Sequence, residues 1–221
     1  MEYKDYITDF SSRAKKVLEE FSKCDPTNDL NVTALLSVAT SSFVIPFERL
    51  KESHPFKDKI KFDRIVSRIN IELKKNIPDS KLINNPSQWM TKNLQKDSLE
   101  KSDFENGFGA IKAEDKIKSL INTIRNALAH GNIYSCSKSG QSGHIDTLYF
   151  ISKKSNEENA FFEILETNTN LERLSKTKKN KIYNDFIKSR NSNSGFCIVE
   201  CPLSEFHEFL NTWIGLLSPS T

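Results

Sequence analysis

Apolar residues recur at spacings of three and four through the first third of the chain, and this period predicts amphipathic helices. The first stripe lies within residues 3–23 and consists of Tyr3, Ile7, Phe10, Ala14, Val17 and Phe21. A second helix is predicted to open near Asp29 or Asn31, either of which can cap it, and to be kinked by Pro46. A third helix is predicted to end at Pro78.

One further helix, predicted over about 110–130, has the clearest apolar and polar faces. Its apolar stripe consists of Ile117, Leu120, Ile121, Ile124 and Leu128. Asn126 and His130 lie four residues apart on a face turned away from that stripe, and Arg125 lies at its boundary. Gly131 follows at once. Glycine is the usual residue just past a helix end, so His130 belongs to the last turn.

The second half of the chain has a different pattern. Runs of β-branched and aromatic residues at 145–151 and 160–165 predict a β-hairpin, and 195–200 predicts a third strand. Residues 171–190 predict a further helix, while the polar residues 79–108 predict a long, partly ordered connection. A C-terminal helix is predicted to bury Phe206, Leu210, Trp213 and Leu217.

Composition narrows the class of protein. Of the 221 residues, 28 % are charged and 37 % are hydrophobic, which is typical of a globular chain rather than a disordered or membrane-spanning one. The N-terminus lacks the apolar core of a signal peptide, and the four cysteines suggest no disulfide framework. A cytoplasmic location is therefore predicted. The net charge of +3 neither demands nor excludes a nucleic acid as partner.

Three residues of the 110–130 helix are candidates for chemistry. The helix dipole favours positive charge at the end where His130 lies, so this imidazole suits a general acid near neutral pH. Arg125 is planar and always charged, which suits it to hold a phosphate. Asn126, next to Arg125, can accept and donate hydrogen bonds.

The segment IRNALAHGN, residues 124–132, resembles the signature of the HEPN superfamily. That signature is an arginine, four to six residues and a histidine, here Arg125 and His130, with Asn126 in the polar position after the arginine. The resemblance implies a mainly α fold, a helical bundle, as one domain over 1–221. Its helical core would cover about 3–135 and 203–217. A small β-containing insertion of about 140–201 would separate the motif helix from the C-terminal helix.

The resemblance also implies that the protein is a metal-independent endoribonuclease that needs no cofactor. His130 would assist proton transfer while the RNA 2′-hydroxyl attacks the adjacent phosphate, and Arg125 would stabilise the charge that develops there. Asn126 would orient either residue by a hydrogen bond. Two copies of the chain would form a homodimer with a composite active site. A toxin or phage-defence role is implied, with an antitoxin or regulatory protein as a further candidate partner.

Two other interpretations of the same residues remain open. A HEPN module without catalysis could bind RNA, a nucleotide or a partner protein. Alternatively, Arg125, Asn126 and His130 could form a hydrogen-bonding patch that only stabilises a dimer. A narrower group of HEPN toxins carries a tyrosine two residues after the histidine, where a partner enzyme modifies it. This chain has Asn132 at that position, so the modified-toxin interpretation is not supported.

Two further signals lie later in the sequence. The basic run KTKKNK is a candidate RNA contact through phosphates, and a solvated helix face is its alternative. Its lysines are Lys176, Lys178, Lys179 and Lys181. A zinc site could use Cys197, Cys201 and His207. However, the two cysteines straddle an apolar strand and lack a second pair, so incidental thiols are favoured and no metal site is predicted.

Overall fold

The computed structural model describes residues 6–21, 23, 29–49, 59–96, 98–140, 143–154 and 195–217. The strand predicted at 160–165 and the helix predicted at 171–190 lie outside the described residues. The basic run at 176–181 lies outside them too.

Six α-helices are present in the described part of the chain. They are α1 (Tyr6–Phe21), α2 (Asp29–Ala39), α3 (Ile45–Arg49), α4 (Lys59–Leu73), α5 (Ile117–His130) and α6 (Leu203–Leu217). The core face of α1 is rotated from the predicted stripe. Ala14 is buried as expected, but Leu18 is buried beside it and Val17 is 39 % exposed. The buried face of α1 therefore contains Ala14 and Leu18, four residues apart, and the spacing of apolar residues did not predict that Leu18 replaces Val17 on it.

The irregularity predicted at Pro46 is a π turn, Thr40–Val44, between α2 and α3. Proline has no N–H to donate to the carbonyl four residues earlier, which belongs to Ser42. The indole N–H of Trp213, on α6, donates to that Ser42 carbonyl at 3.1 Å instead. The turn therefore joins α2–α3 to the C-terminal helix, and it presents Phe47 on α3 towards α5.

Five described strands form one antiparallel sheet in the order β2-β1-β5-β4-β3. They are β1 (Met90–Leu94), β2 (Gly109–Ala110), β3 (Ile133–Cys136), β4 (Thr147–Lys154) and β5 (Gly195–Pro202). The predicted strands at 145–151 and 195–200 correspond to β4 and β5.

The predicted fold class, a mainly helical bundle with a β insertion between the motif helix and the C-terminal helix, is wrong. The sheet is a full layer, and two of its strands precede α5 in the chain. β1 pairs with β5 from Met90 opposite Glu200 to Leu94 opposite Phe196. The polar sequence of β1, MTKNL, lacks the apolar alternation that identifies a strand, so the sequence predicts a connection there.

The helices cover one face of this sheet. Leu148 and Phe150 on β4 and Val199 on β5 belong to the core that the helices share. α5 lies against both strands. α5 starts at Ile117 rather than near residue 110, because Gly109–Ala110 is paired in β2. The motif helix is therefore shorter at its N-terminal end than the sequence predicts.

Aromatic side chains cover part of the other face of the sheet. The ring of Tyr149 lies 5.3 Å from that of Phe104, 5.5 Å from that of Phe108 and 5.7 Å from that of Tyr134, centroid to centroid. The Tyr149 hydroxyl donates to the Phe104 carbonyl at 3.2 Å. Burial, together with the nearby carboxylate of Glu200, raises the pKa of Tyr149 well above its usual value.

The prediction for the C-terminal helix is confirmed, because all four residues that it named are fully buried: Phe206, Leu210, Trp213 and Leu217. Within the described ranges, the helices are too short or too polar to cross a bilayer. The single domain over 1–221 stays a prediction.

Candidate functional site

The core stripe predicted for α5 is confirmed. Each of its residues is at most 5 % exposed: Ile117, Leu120, Ile121, Ile124 and Leu128. Burial extends further around the helix than one stripe, because Thr123 and Ala127 are buried as well. The sheet packs against the side of α5 that the sequence predicts to be its polar face. Asn126 is consequently half-buried rather than outward-facing, while His130 is exposed as expected.

The C-terminal end of α5 is closed by Gly131, which has a φ of 67° and a ψ of 19°. The N–H of Asn132 donates to the Ala127 carbonyl at 2.9 Å, and the N–H of Gly131 donates to the Leu128 carbonyl at 3.5 Å. This pair of bonds is the Schellman arrangement that a glycine with positive φ allows. It fixes His130 at the end of the helix and turns the chain directly into β3.

Arg125 and Asn126 are joined by a short hydrogen bond. Nη1 of Arg125 donates to Oδ1 of Asn126 at 2.6 Å, and Nδ2 of Asn126 donates to Oγ of Ser152 on β4 at 3.2 Å. Ser152 is 8 % exposed, so this contact lies between the helix and the sheet. The predicted role of Asn126 as an orienting residue is consistent with these contacts. Its partner on β4 was not identified from the sequence.

Phe47 on α3 supports the guanidinium group of Arg125 from another side. The guanidinium carbon lies 5.9 Å from the centroid of the Phe47 ring, within the range of a cation–π contact. Phe47 itself packs near Phe43 and Trp213, with ring centroids 5.9 Å and 6.0 Å away. The π turn before Pro46 brings the ring to this position, and no periodicity in the sequence relates it to Arg125.

A cleft of about 300 Å³ opens beside the C-terminal half of α5. The residues that line it are Arg125, Asn126, His130, Asn132, Ile151, Ser152 and Lys153. All three residues expected to carry chemistry therefore meet in one cavity. β4 forms its second wall, and the N–H of Ile151 donates to the Asn132 carbonyl at 3.0 Å where the wall meets the end of α5. The β-branched and aromatic run at 145–151 predicts the strand but not its position beside the motif helix.

The lining of the cleft is basic and amide-rich. Its charged or titratable side chains are Arg125, His130 and Lys153, and amides come from Asn126 and Asn132. Such groups suit an anionic ligand that carries phosphates, because guanidinium and ammonium groups donate hydrogen bonds to phosphate oxygens. A hard divalent cation would instead prefer carboxylate ligands.

The alternative zinc ligands do not form a site with one another. Across the described ranges, no group of three histidine, cysteine, aspartate or glutamate side chains is arranged to hold a metal ion. Cys197 lies next to Thr123, whose hydroxyl is 3.6 Å from the cysteine sulfur. Cys201 belongs to the core, where burial raises the pKa of its thiol.

Comparisons with known proteins bear on the identity of this site. Neither the search of curated proteins nor the search of solved structures returned a match. A protein-family model, described as HEPN pEK499 p136, matches residues 1–185, which include the whole of α5 and β4. That match covers most of the chain and includes the arginine–histidine motif. The chain therefore belongs to the HEPN pEK499 p136 family.

Proposed function

We propose that this protein is an endoribonuclease that cleaves RNA without a metal ion, in the cleft between α5 and β4. One observation carries the proposal. Arg125 and His130, the arginine and the histidine of the HEPN-like signature, together line one cavity of about 300 Å³. A HEPN family is associated with ribonuclease activity or with nucleotide binding, and the paired cation and imidazole favour the first.

The reaction needs a proton carrier and a group that stabilises charge on the phosphate. The RNA 2′-oxygen attacks the neighbouring phosphorus and loses its proton, while the bond from phosphorus to the 5′-oxygen breaks. The products are a 2′,3′-cyclic phosphate and a 5′-hydroxyl end. His130, exposed in the last turn of α5, accepts or donates the proton. Arg125, held by Asn126 and Phe47, stabilises the charge on the phosphate oxygens.

One imidazole cannot be acid and base in the same step, and this favours a dimer. In a two-fold arrangement of α5 helices, one copy of His130 would take the 2′-hydroxyl proton and the other would protonate the 5′-oxygen. Ala129 and His130 are both exposed at the end of α5, so a second copy can approach this surface. An antitoxin or regulatory protein that covers the same surface would restrain the activity, as a toxin or phage-defence role requires.

The test is cleavage of total RNA by the purified protein in EDTA. The wild-type protein is expected to produce cyclic-phosphate ends. His130→Ala and Arg125→Ala are expected to lower the rate by at least about a hundredfold, because each removes a group that acts on the reacting atoms. His144→Ala is the matched control. His144 lies in the connection between β3 and β4, which joins the ends of those strands remote from Asn132, and it does not line the cleft.

Each outcome has a defined meaning. Full activity in both His130→Ala and Arg125→Ala would contradict the proposal. RNA binding by a wild-type protein that makes no cuts would favour the alternative, a non-catalytic HEPN module. Loss of activity in His144→Ala would point to damage of the fold rather than of the site. The four lysines of the basic run remain predicted RNA contacts: Lys176, Lys178, Lys179 and Lys181.

A further inference from the structure

We infer that Ser152, on β4, is a positioning residue that fixes the Asn126 amide and, through it, the guanidinium group of Arg125. The inference rests on the proposed function and deepens it, since it makes a strand outside the signature part of the same site. Three hydrogen bonds in series carry it, from Arg125 through Asn126 to Ser152 and on to the backbone of Lys153.

The direction of these bonds follows from the chemistry of the groups. A guanidinium can only donate, so the Asn126 oxygen must face Arg125, and it does so at 2.6 Å. The Asn126 nitrogen must then point the other way and needs an acceptor. The hydroxyl oxygen of Ser152 is that acceptor at 3.2 Å, and the hydroxyl has the Lys153 carbonyl as its own acceptor at 3.5 Å. A flipped amide would turn two donors towards each other at Arg125.

Because Ser152 is buried, its hydroxyl determines the orientation of the Asn126 amide. Ser152 is 8 % exposed and lies on the α5-facing side of β4, the side that also carries Leu148 and Phe150. An amide N–H that loses its acceptor beside a buried side chain is unfavourable. Without the hydroxyl, the Asn126 side chain is expected to rotate and the guanidinium to lose its fixed direction. Misplacement of a catalytic group by about 1 Å can lower a rate about a hundredfold.

Ser152→Ala is expected to lower kcat for RNA cleavage by about tenfold and to change KM by less than about twofold, since Arg125 acts on charge that develops in the transition state. Ser152→Thr keeps the hydroxyl on a residue that strands favour, and it is expected to restore most of the rate. Ser80→Ala is the matched control. Ser80 is also buried and also donates a side-chain hydrogen bond, to Glu72, but it does not line the cleft.

A double-mutant cycle distinguishes positioning from general damage. If Ser152 acts through Asn126, the tenfold loss from Ser152→Ala shrinks to less than about twofold in an Asn126→Ala background. A loss of equal size in both backgrounds would overturn the inference. So would a tenfold loss in the Ser80→Ala control, or a full rate in Ser152→Ala.

The cycle remains decisive if the proposed function fails. Should the wild-type protein cleave no RNA, the same four proteins are compared by their affinity for a single-stranded DNA oligonucleotide, which carries phosphates but no 2′-hydroxyl. Non-additive losses of affinity would then support the positioning role in a binding module, and additive losses would contradict it. A failure to cleave RNA therefore contradicts only the proposed ribonuclease activity. Additive losses in the double-mutant cycle contradict only the positioning role of Ser152.

Discussion

The end of the motif helix depends on the backbone conformation of Gly131. Replacing Gly131 with alanine, which adds one methyl group, tests that dependence. Its φ of 67° lies in the left-handed region, where a residue with a Cβ is disfavoured by about 1–2 kcal/mol. A Cβ built at Gly131 would meet no atom within 4 Å, so the added methyl group brings backbone strain without a clash.

The expected magnitude is the difference of two effects. Replacing glycine by alanine also restricts the unfolded chain, which stabilises a protein by about 0.4–1 kcal/mol where the backbone is compatible. Gly131→Ala is therefore expected to lower the free energy of unfolding by about 1 kcal/mol. Gly109 on β2 is the matched control, because its φ is not positive and a Cβ there also meets nothing within 4 Å. Gly109→Ala is expected to leave stability unchanged or to raise it.

Urea denaturation followed by circular dichroism measures both variants. A loss of about 1 kcal/mol lowers the urea midpoint by roughly 0.3–1 M at an unchanged slope. Gly131→Asn is expected to fall between wild type and Gly131→Ala, because asparagine tolerates the left-handed region better than alanine does. Equal shifts of the urea midpoint in Gly131→Ala and Gly109→Ala would contradict this prediction, since strain at Gly131 would then contribute nothing.

Three further predictions concern the cleft and the sheet. Phe47→Leu keeps an apolar side chain but removes the cation–π contact with Arg125, so kcat/KM for RNA cleavage is expected to fall about two- to fivefold. An unchanged kcat/KM in steady-state assays would show that Phe47 does not contribute to the site. Lys153→Ala is expected to reduce the slope of log affinity for single-stranded RNA against log salt by about 0.7, whereas exposed Lys112→Ala, before α5, is not. Burial raises the pKa of Asp146, but two backbone N–H groups and a threonine hydroxyl outweigh burial and lower it to about 2. Because the pKa of Asp146 is depressed in the folded state, its carboxylate stabilises the fold above about pH 4 and loses this effect as the pH falls to about 2. The difference in the free energy of unfolding between wild type and Asp146→Asn should therefore become smaller as the pH falls from about 4 to about 2. A difference that does not change with pH would contradict this prediction.

The sequence by itself determined the local features of the site. The apolar period identified the buried face of α5, and Gly131 identified its end, because helix periodicity and capping depend on residues within a few positions of each other. The segment IRNALAHGN, at the C-terminal end of a strongly apolar helix, indicated the HEPN superfamily, and the family model that matches is a HEPN family. The same periodicity identified four of the seven buried residues of the C-terminal helix.

Only the tertiary structure decided how the strands pair in the sheet and which strand forms the second wall of the cleft. β1 is too polar to be identified as a strand by its own pattern, and it is a strand because β5 and β2 supply hydrogen-bond partners that lie far along the chain. Ser152 meets Asn126 across 26 residues, and Phe47 reaches Arg125 only through the π turn before Pro46. Contacts of this kind depend on how helices and strands pack in three dimensions, and no period in the sequence encodes that packing.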